Sequence, residues 1–129
     1  MPGLDDVFIE KAVTALAGAE SELLAGRYEN VANRCYYACF QAAIAALEAA
    51  GVRPAGGARA RWSHSGVQAQ FVGALINRRK RYPGRLRDTL AEVSAARQTA
   101  DYTRKRISED EAKRVLRRSR EFVETVRAD

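Results

Sequence analysis

The stretch that decides the fold is "YENVANRCYYACFQAAIAALEAA", residues 28–50. Read at 3.6 residues per turn, it aligns Ala32, Cys35 or Tyr36, Cys39, Ala43, Leu47 and Ala50 on one side of a helix. Gly51 supplies the stop. A second stripe of the same helix, Asn30, Arg34, Tyr37, Gln41 and Ile44, mixes aromatic and polar groups. A helix with two used faces sits centrally in a bundle or packs on a second copy of the chain, and both are expected here. Its many alanines let neighbouring helices approach closely.

Helical periodicity continues on both sides. A first helix is predicted over about residues 4–25, with Phe8, Ala12, Ala15, Ala19 and Leu23 on one face and Gly26 ending it. Residues 51–62, "GVRPAGGARARW", read as an irregular basic connection carrying Arg53, Arg59 and Arg61. Ser63 can cap a third helix of about 64–80 that turns Val67, Phe71 and Ala74 or Leu75 inward. Pro83-Gly84 breaks the chain, and a fourth helix of about 85–104 aligns Leu86, Leu90, Val93, Arg97 and Ala100. Ser108-Glu109-Asp110-Glu111 is a capping box opening a fifth helix with Val115, Ser119, Phe122 and Val126 on its stripe. Nothing alternates as a strand. The expectation is an all-α, four- to five-helix, mainly antiparallel bundle, with residues 1–129 forming one domain.

Composition agrees with that class. With 47% hydrophobic and 29% charged residues, 129 residues suffice for a modest core without staples. No apolar run approaches the roughly 20 residues of a membrane span. The acidic start "MPGLDDVFIEK" lacks the basic opening and apolar core of a secretory signal, so a cytoplasmic location is expected, with no membrane partner. Cys35 and Cys39, the only two cysteines, have no partners at metal spacing and read as small buried thiols. No metal site or cofactor is expected. The acidic pairs Asp5-Asp6 and Glu109 with Glu111 sit at helix starts, where capping explains them.

Charge is lopsided. Residues 1–50 hold three basic and seven acidic side chains, a balance of −4, whereas residues 51–129 hold 19 and nine, a balance of +10. Such asymmetry points to an anionic partner, nucleic acid first. The densest run is Arg78-Arg79-Lys80-Arg81, with Arg85 and Arg87 close behind. Charge alone does not separate RNA from an acidic protein, and a basic run is also what a solvated face looks like.

Three short segments carry chemistry. In "AARQTADY", residues 95–102, Arg97 falls on the apolar stripe, and Asp101 follows at i+4 on the same face. A guanidinium there is costly unless its donors find partners, so Arg97 is either a bolt within the bundle or the floor of a site. Tyr102, five residues on, reaches that site only near a helix end. In "WSHSG", His64 is the only histidine, flanked by Ser63 and Ser65 at a helix start, where the dipole favours anions and lowers an imidazole pKa. It is either a hydrogen-bonded structural residue or a proton carrier. In "NRCYYACF", Tyr36 is expected to help fill the core, and Tyr37 to join Arg34 on the polar face, where the pair can hold a phosphate or stack a base. Among motifs with a known mechanism there is no phosphate-binding Gly-rich loop and no visible Ser-His-Asp arrangement.

Taken in order, "NRCYYACFQAA", "SHSG" and "RQTADY" resemble the compact prokaryotic HEPN-domain proteins, over roughly residues 5–127. The resemblance implies a four- or five-helix bundle that pairs as a homodimer. It further implies, for many members, a metal-independent endoribonuclease accompanied by a small nucleotidyltransferase as a toxin–antitoxin pair. The family's catalytic motif is an arginine followed after four to six residues by a histidine. Carried over, the arginine is Arg97, but Tyr102 stands four intervening residues later, and no histidine follows. A tyrosine, with an ordinary pKa of about 10, is a weak base at neutral pH. His64 can replace the missing imidazole if the start of the third helix approaches Arg97. Arg97, His64 and Tyr102 are therefore the expected catalytic set, with Arg34, Tyr37, Ser63, Ser65 and Asp101 as RNA- or nucleotide-binding residues. The alternative is an inactive interaction module that binds a nucleotidyltransferase or another acidic partner; an enzyme acting on free nucleotides ranks last.

Overall fold

A computed structural model describes residues 7–56 and 61–129. The predicted start of the first helix, Asp5-Asp6 and Arg59 lie outside the described residues. Among the described residues five α-helices form: α1 (Val7–Leu24), α2 (Tyr28–Ala49), α3 (His64–Gln70), α4 (Arg85–Tyr102) and α5 (Glu109–Arg127). A π-helical segment, Phe71–Arg78, continues α3.

The central position expected for α2 is found. It packs against every other element, and all seven residues from Gln41 to Leu47 are buried. Only a helix covered on all sides buries seven consecutive residues. The alanines make this possible: Ala38, Ala42, Ala43, Ala45 and Ala46 keep the flanking helices close without protruding. The polar stripe divides along its length. Asn30, Arg34 and Tyr37 are exposed near the start, whereas Gln41 and Ile44 are buried further on.

Paired contacts fix the directions. Asn30 of α2 donates to Glu22 of α1, and Arg34 lies over Gly18, so α1 and α2 are antiparallel. Asn33 meets Asp101 and Tyr36 meets Arg97, which sets α4 antiparallel to α2. Arg85 pairs with Glu121, and Glu92 accepts from Arg114 and Arg118, so α5 returns antiparallel to α4. The stripes predicted for α1 and α5 face the core, joined by Ile9, Leu16, Leu116 and Val123.

Two differences from the sequence reading matter. The third helix is α-helical only to Gln70; beyond it, wider turns bury three consecutive residues, Ala74, Leu75 and Ile76, one of which an ordinary helix would turn outward. The amide of Arg79 continues that pattern by donating to the Ala74 carbonyl at 2.9 Å. In α4 the inward stripe passes from Val93 to Ala96 and not to Arg97, which is only partly buried. Among the described residues no helix is long and apolar enough to cross a membrane.

The charge asymmetry is partly an internal affair. Arg106 pairs with Glu29 and Arg120 with Glu20, so basic residues of the second half meet acidic ones of the first. Exposed pairs of this kind contribute little stability, about 0–1 kcal/mol each, but they use up charge that the sequence alone shows as free.

Candidate functional site: an arginine shared by two tyrosines

Arg97 occupies the last turn but one of α4, with a quarter of its side chain exposed. Its Nε lies 3.4 Å from Asp101 Oδ2, and its Nη2 donates to the Tyr102 hydroxyl at 3.2 Å. The guanidinium carbon stands 4.8 Å from the Tyr36 ring centre and 5.6 Å from that of Tyr102. The helix end explains how Tyr102 gets there: at a five-residue offset it would otherwise point about 140° away. Asp101 is itself fixed from α2, its Oδ1 accepting from Asn33 Nδ2 at 2.7 Å. Arg97 is therefore held in place on one side and open on the other. Its partners come from two helices, Asp101 and Tyr102 from α4 and Tyr36 from α2.

His64 arrives from the other direction. As the first residue of α3 it packs its ring on Phe40 (centroids 4.5 Å apart, edge-on) and on Tyr36 (5.2 Å). The Tyr36 ring thus carries the imidazole and the guanidinium together, and the two are no further apart than the sum of their distances to it. Partial burial, followed by the Arg97 charge, holds the His64 pKa below its ordinary value. The imidazole is consequently neutral at pH 7 and able to accept a proton. Burial pushes the Tyr36 phenol up, against a downward pull from Arg97.

The turn "SHSG" has a local cause. Ser63 Oγ accepts from the Gly66 amide at 2.9 Å, the N-cap expected of it. A Cβ on residue 66 would sit 2.7 Å from that Oγ, so the glycine is needed for the cap to close. Ser63 is thereby committed to holding His64 in position, whereas Ser65 is exposed. Ser63→Ala is expected to lower stability by about 1 kcal/mol in a denaturant titration, the ordinary value of such a cap. No loss would mean that the α3 start is held by something else.

Of the predicted residues, the structure brings together Arg97, Asp101, Tyr102 and His64. Arg34 lies apart, on the α1 side of α2 against Gly18. Tyr37 is 45% exposed on the outer surface of α2. Two participants were missed. Tyr36, expected in the core, is only half-buried and forms the floor under Arg97, and Asn33 orients Asp101. Their signal is present in the spacing, because residues 33, 36 and 40 share one helical face.

Among the described residues no three His, Cys, Asp or Glu side chains converge to hold a metal ion. Cys35 and Cys39 are buried, and burial pushes their thiols up to about 11 and about 12, which makes them unreactive as nucleophiles.

Fold and site together define a helical bundle with an arginine-centred polar site at the end of its fourth helix. The HEPN domain model matches residues 6–128, and the chain belongs to that family. Membership associates it, at the level of the family, with nucleotides, RNA and ribonuclease-like modules. None of the curated proteins matches the chain at a significant level.

Proposed function

We propose that the protein is a HEPN-type RNA-binding endoribonuclease that works without a metal ion, with His64 in the role the family gives to a motif histidine. The observation that carries this reading is the Tyr36 ring, on which the Arg97 guanidinium and the neutral His64 imidazole both rest. In the proposed reaction His64 takes the proton of a ribose 2′-hydroxyl, and the 2′-oxygen forms a bond to phosphorus as the bond to the 5′-oxygen breaks. The imidazolium returns the proton to the leaving 5′-oxygen. Arg97 stabilises the charge that builds on the phosphoryl oxygens, with Asp101 orienting it and Tyr102 orienting the phosphate. Arg34 and Tyr37 are assigned to RNA crossing the outer face of α2, and Ser65 to the phosphate near the α3 start. Pairing as a homodimer belongs to the same reading, as does restraint by a nucleotidyltransferase in a toxin–antitoxin arrangement.

The test is RNA cleavage in EDTA across a pH range. His64→Ala is expected to lose about 100-fold or more of the rate. Because His64 titrates below its ordinary value of about 6.5, the wild-type rate is expected to hold at neutral pH and fall only as the pH drops through that lower value. An acid limb that survives in the variant, or an unchanged rate, sinks the assignment.

One observation favours a second reading. Tyr102 fills the place of the motif histidine, as in a site that has lost cleavage and kept binding. A folded sample that binds RNA or a nucleotidyltransferase but never cleaves would establish it.

A further inference from the structure

The strongest charge run in the sequence plays no part in the site above. It forms the end of the π-helical segment and the turn into α4, with Asn77, Lys80, Arg81, Pro83, Gly84 and Arg87 around a shallow open concavity and Arg78 and Arg79 beside it in the chain. Arg81 is neutralised by Asp129 and Arg85 by Glu121. The other four basic groups are not. Arg79 donates to the Ala50 carbonyl, Arg87 to Asn77 Oδ1, Lys80 to the Asn77 carbonyl, and Arg78 lies over Gly73. Among the described residues none of the four meets a carboxylate, although much of the basic charge elsewhere does.

The backbone at this point is also unusual. Lys80 has φ of +50°, a left-handed conformation that glycine or asparagine adopts at least cost, and it is the one non-glycine residue with positive φ among those described. The strained turn is anchored beneath: the Tyr82 hydroxyl and Arg81 Nε both donate to Asp129 Oδ2, and the Tyr82 ring stacks on Phe71. From this turn Lys80 lines the concavity, its ammonium donating to the Asn77 carbonyl.

The α3–α4 hairpin connects this turn to Arg97. His64 and Arg97 share Tyr36 at one end, Gln68 Oε1 accepts from Ser94 Oγ at 3.3 Å midway, and Arg87 donates to Asn77 at 2.7 Å at the other. Ten residues of α4 separate Arg87 from Arg97, about 15 Å along the helix. We propose that the basic turn is a docking surface for the phosphate backbone of RNA whose reacting linkage lies at Arg97, gripping the strand a few nucleotides away from it. This rests on the RNA reading of the Arg97 site. A phosphodiester chain is favoured over an acidic protein because the concavity offers cations and no exposed aromatic or aliphatic anchor; Tyr82 is buried.

The test compares wild type with the double variant Arg78→Gln, Lys80→Gly, using fluorescence anisotropy with an uncleavable 2′-deoxy or 2′-O-methyl strand of about 20 nucleotides. The glycine suits the left-handed backbone, so the variant is expected to fold at least as stably as wild type. Its affinity for the long strand is expected to fall about tenfold, with a reduction of about 1.4 in the slope of log K against log salt for two single-strand phosphate contacts. A dinucleotide spanning only the Arg97 site is expected to bind both proteins alike. Unchanged affinity and slope for the long strand would overturn the proposal, as would polyglutamate competing as well as RNA of equal charge. Binding is read without cleavage, so an inactive Arg97 site and a non-binding turn give different results. If Lys80→Gly alone destabilises the fold, Arg78→Gln with Arg87→Gln gives the same comparison.

Discussion

Arg97→Ala is expected to lower RNA cleavage in EDTA by about 100- to 1000-fold while changing stability by no more than about 1 kcal/mol. The two magnitudes have different origins. In the folded protein Arg97 makes an i,i+4 pair with Asp101, a bond to the Tyr102 hydroxyl and a cation–π contact with Tyr36, all at a site that solvent reaches from one side, with about a quarter of the Arg97 and Asp101 side chains exposed. Exposed interactions of these kinds contribute tenths of a kcal/mol to about 1 kcal/mol. A donor aimed at charge developing on a phosphoryl group acts only in the transition state, and removing one such donor costs about two to three orders of magnitude. The measurement is the single-turnover rate beside a thermal melt of the same preparation. A large loss of stability with a proportionate loss of rate would identify Arg97 as a structural bolt instead.

The fold was legible because its decisive signal is local. The alanine-rich face of α2, the glycines after α1 and α2, and the serine caps at 63 and 108 each act within one turn of chain. The π-helical segment was not legible. "FVGALINR" has an ordinary helical composition, and what favours wider turns is the chance to bury Ala74, Leu75 and Ile76 together, which depends on helices distant in sequence. The site divides along the same line. Arg97, Asp101 and Tyr102 lie within six residues, so their association is a matter of helix geometry. Whether His64 joins them depends on the packing of α3 against α2, and sequence could only pose that as a condition. Tyr36 shows the converse: its face on the helix was known, but a half-buried tyrosine and a core tyrosine look alike until the neighbour is an arginine. Arg34 and Asn33, adjacent in sequence, diverge to α1 and α4, a 100° step that decides which of them meets Asp101.

Phe71→Ala is expected to have the reverse profile from Arg97→Ala, a stability loss of about 3–5 kcal/mol with the Arg97 site still assembled in the molecules that remain folded. Phe71 is fully buried where the α-helical and π-helical parts of the hairpin meet, with its ring 5.3 Å from Tyr82 and 5.2 Å from Phe122. Its removal leaves a cavity bounded by two aromatic rings, and neither can close it without giving something up. Tyr82 is tied through its hydroxyl to Asp129, and Phe122 is fully buried on α5. Set against the roughly 5–15 kcal/mol that keeps a domain of this kind folded, the loss takes a large share of the total. Urea titration is the measurement, with the midpoint falling and the slope unchanged if both proteins unfold in one step. Phe71→Leu, which keeps most of the volume, is expected to cost about 1–2 kcal/mol, and equal losses for the two substitutions would mean that the aromatic stack itself, and not the filled volume, holds the segment. Tyr82 also anchors the basic turn, so Phe71→Ala is further expected to weaken long-strand RNA binding more than dinucleotide binding at equal folded concentration. The stack would then support the fold and the proposed grip on RNA through the same three rings.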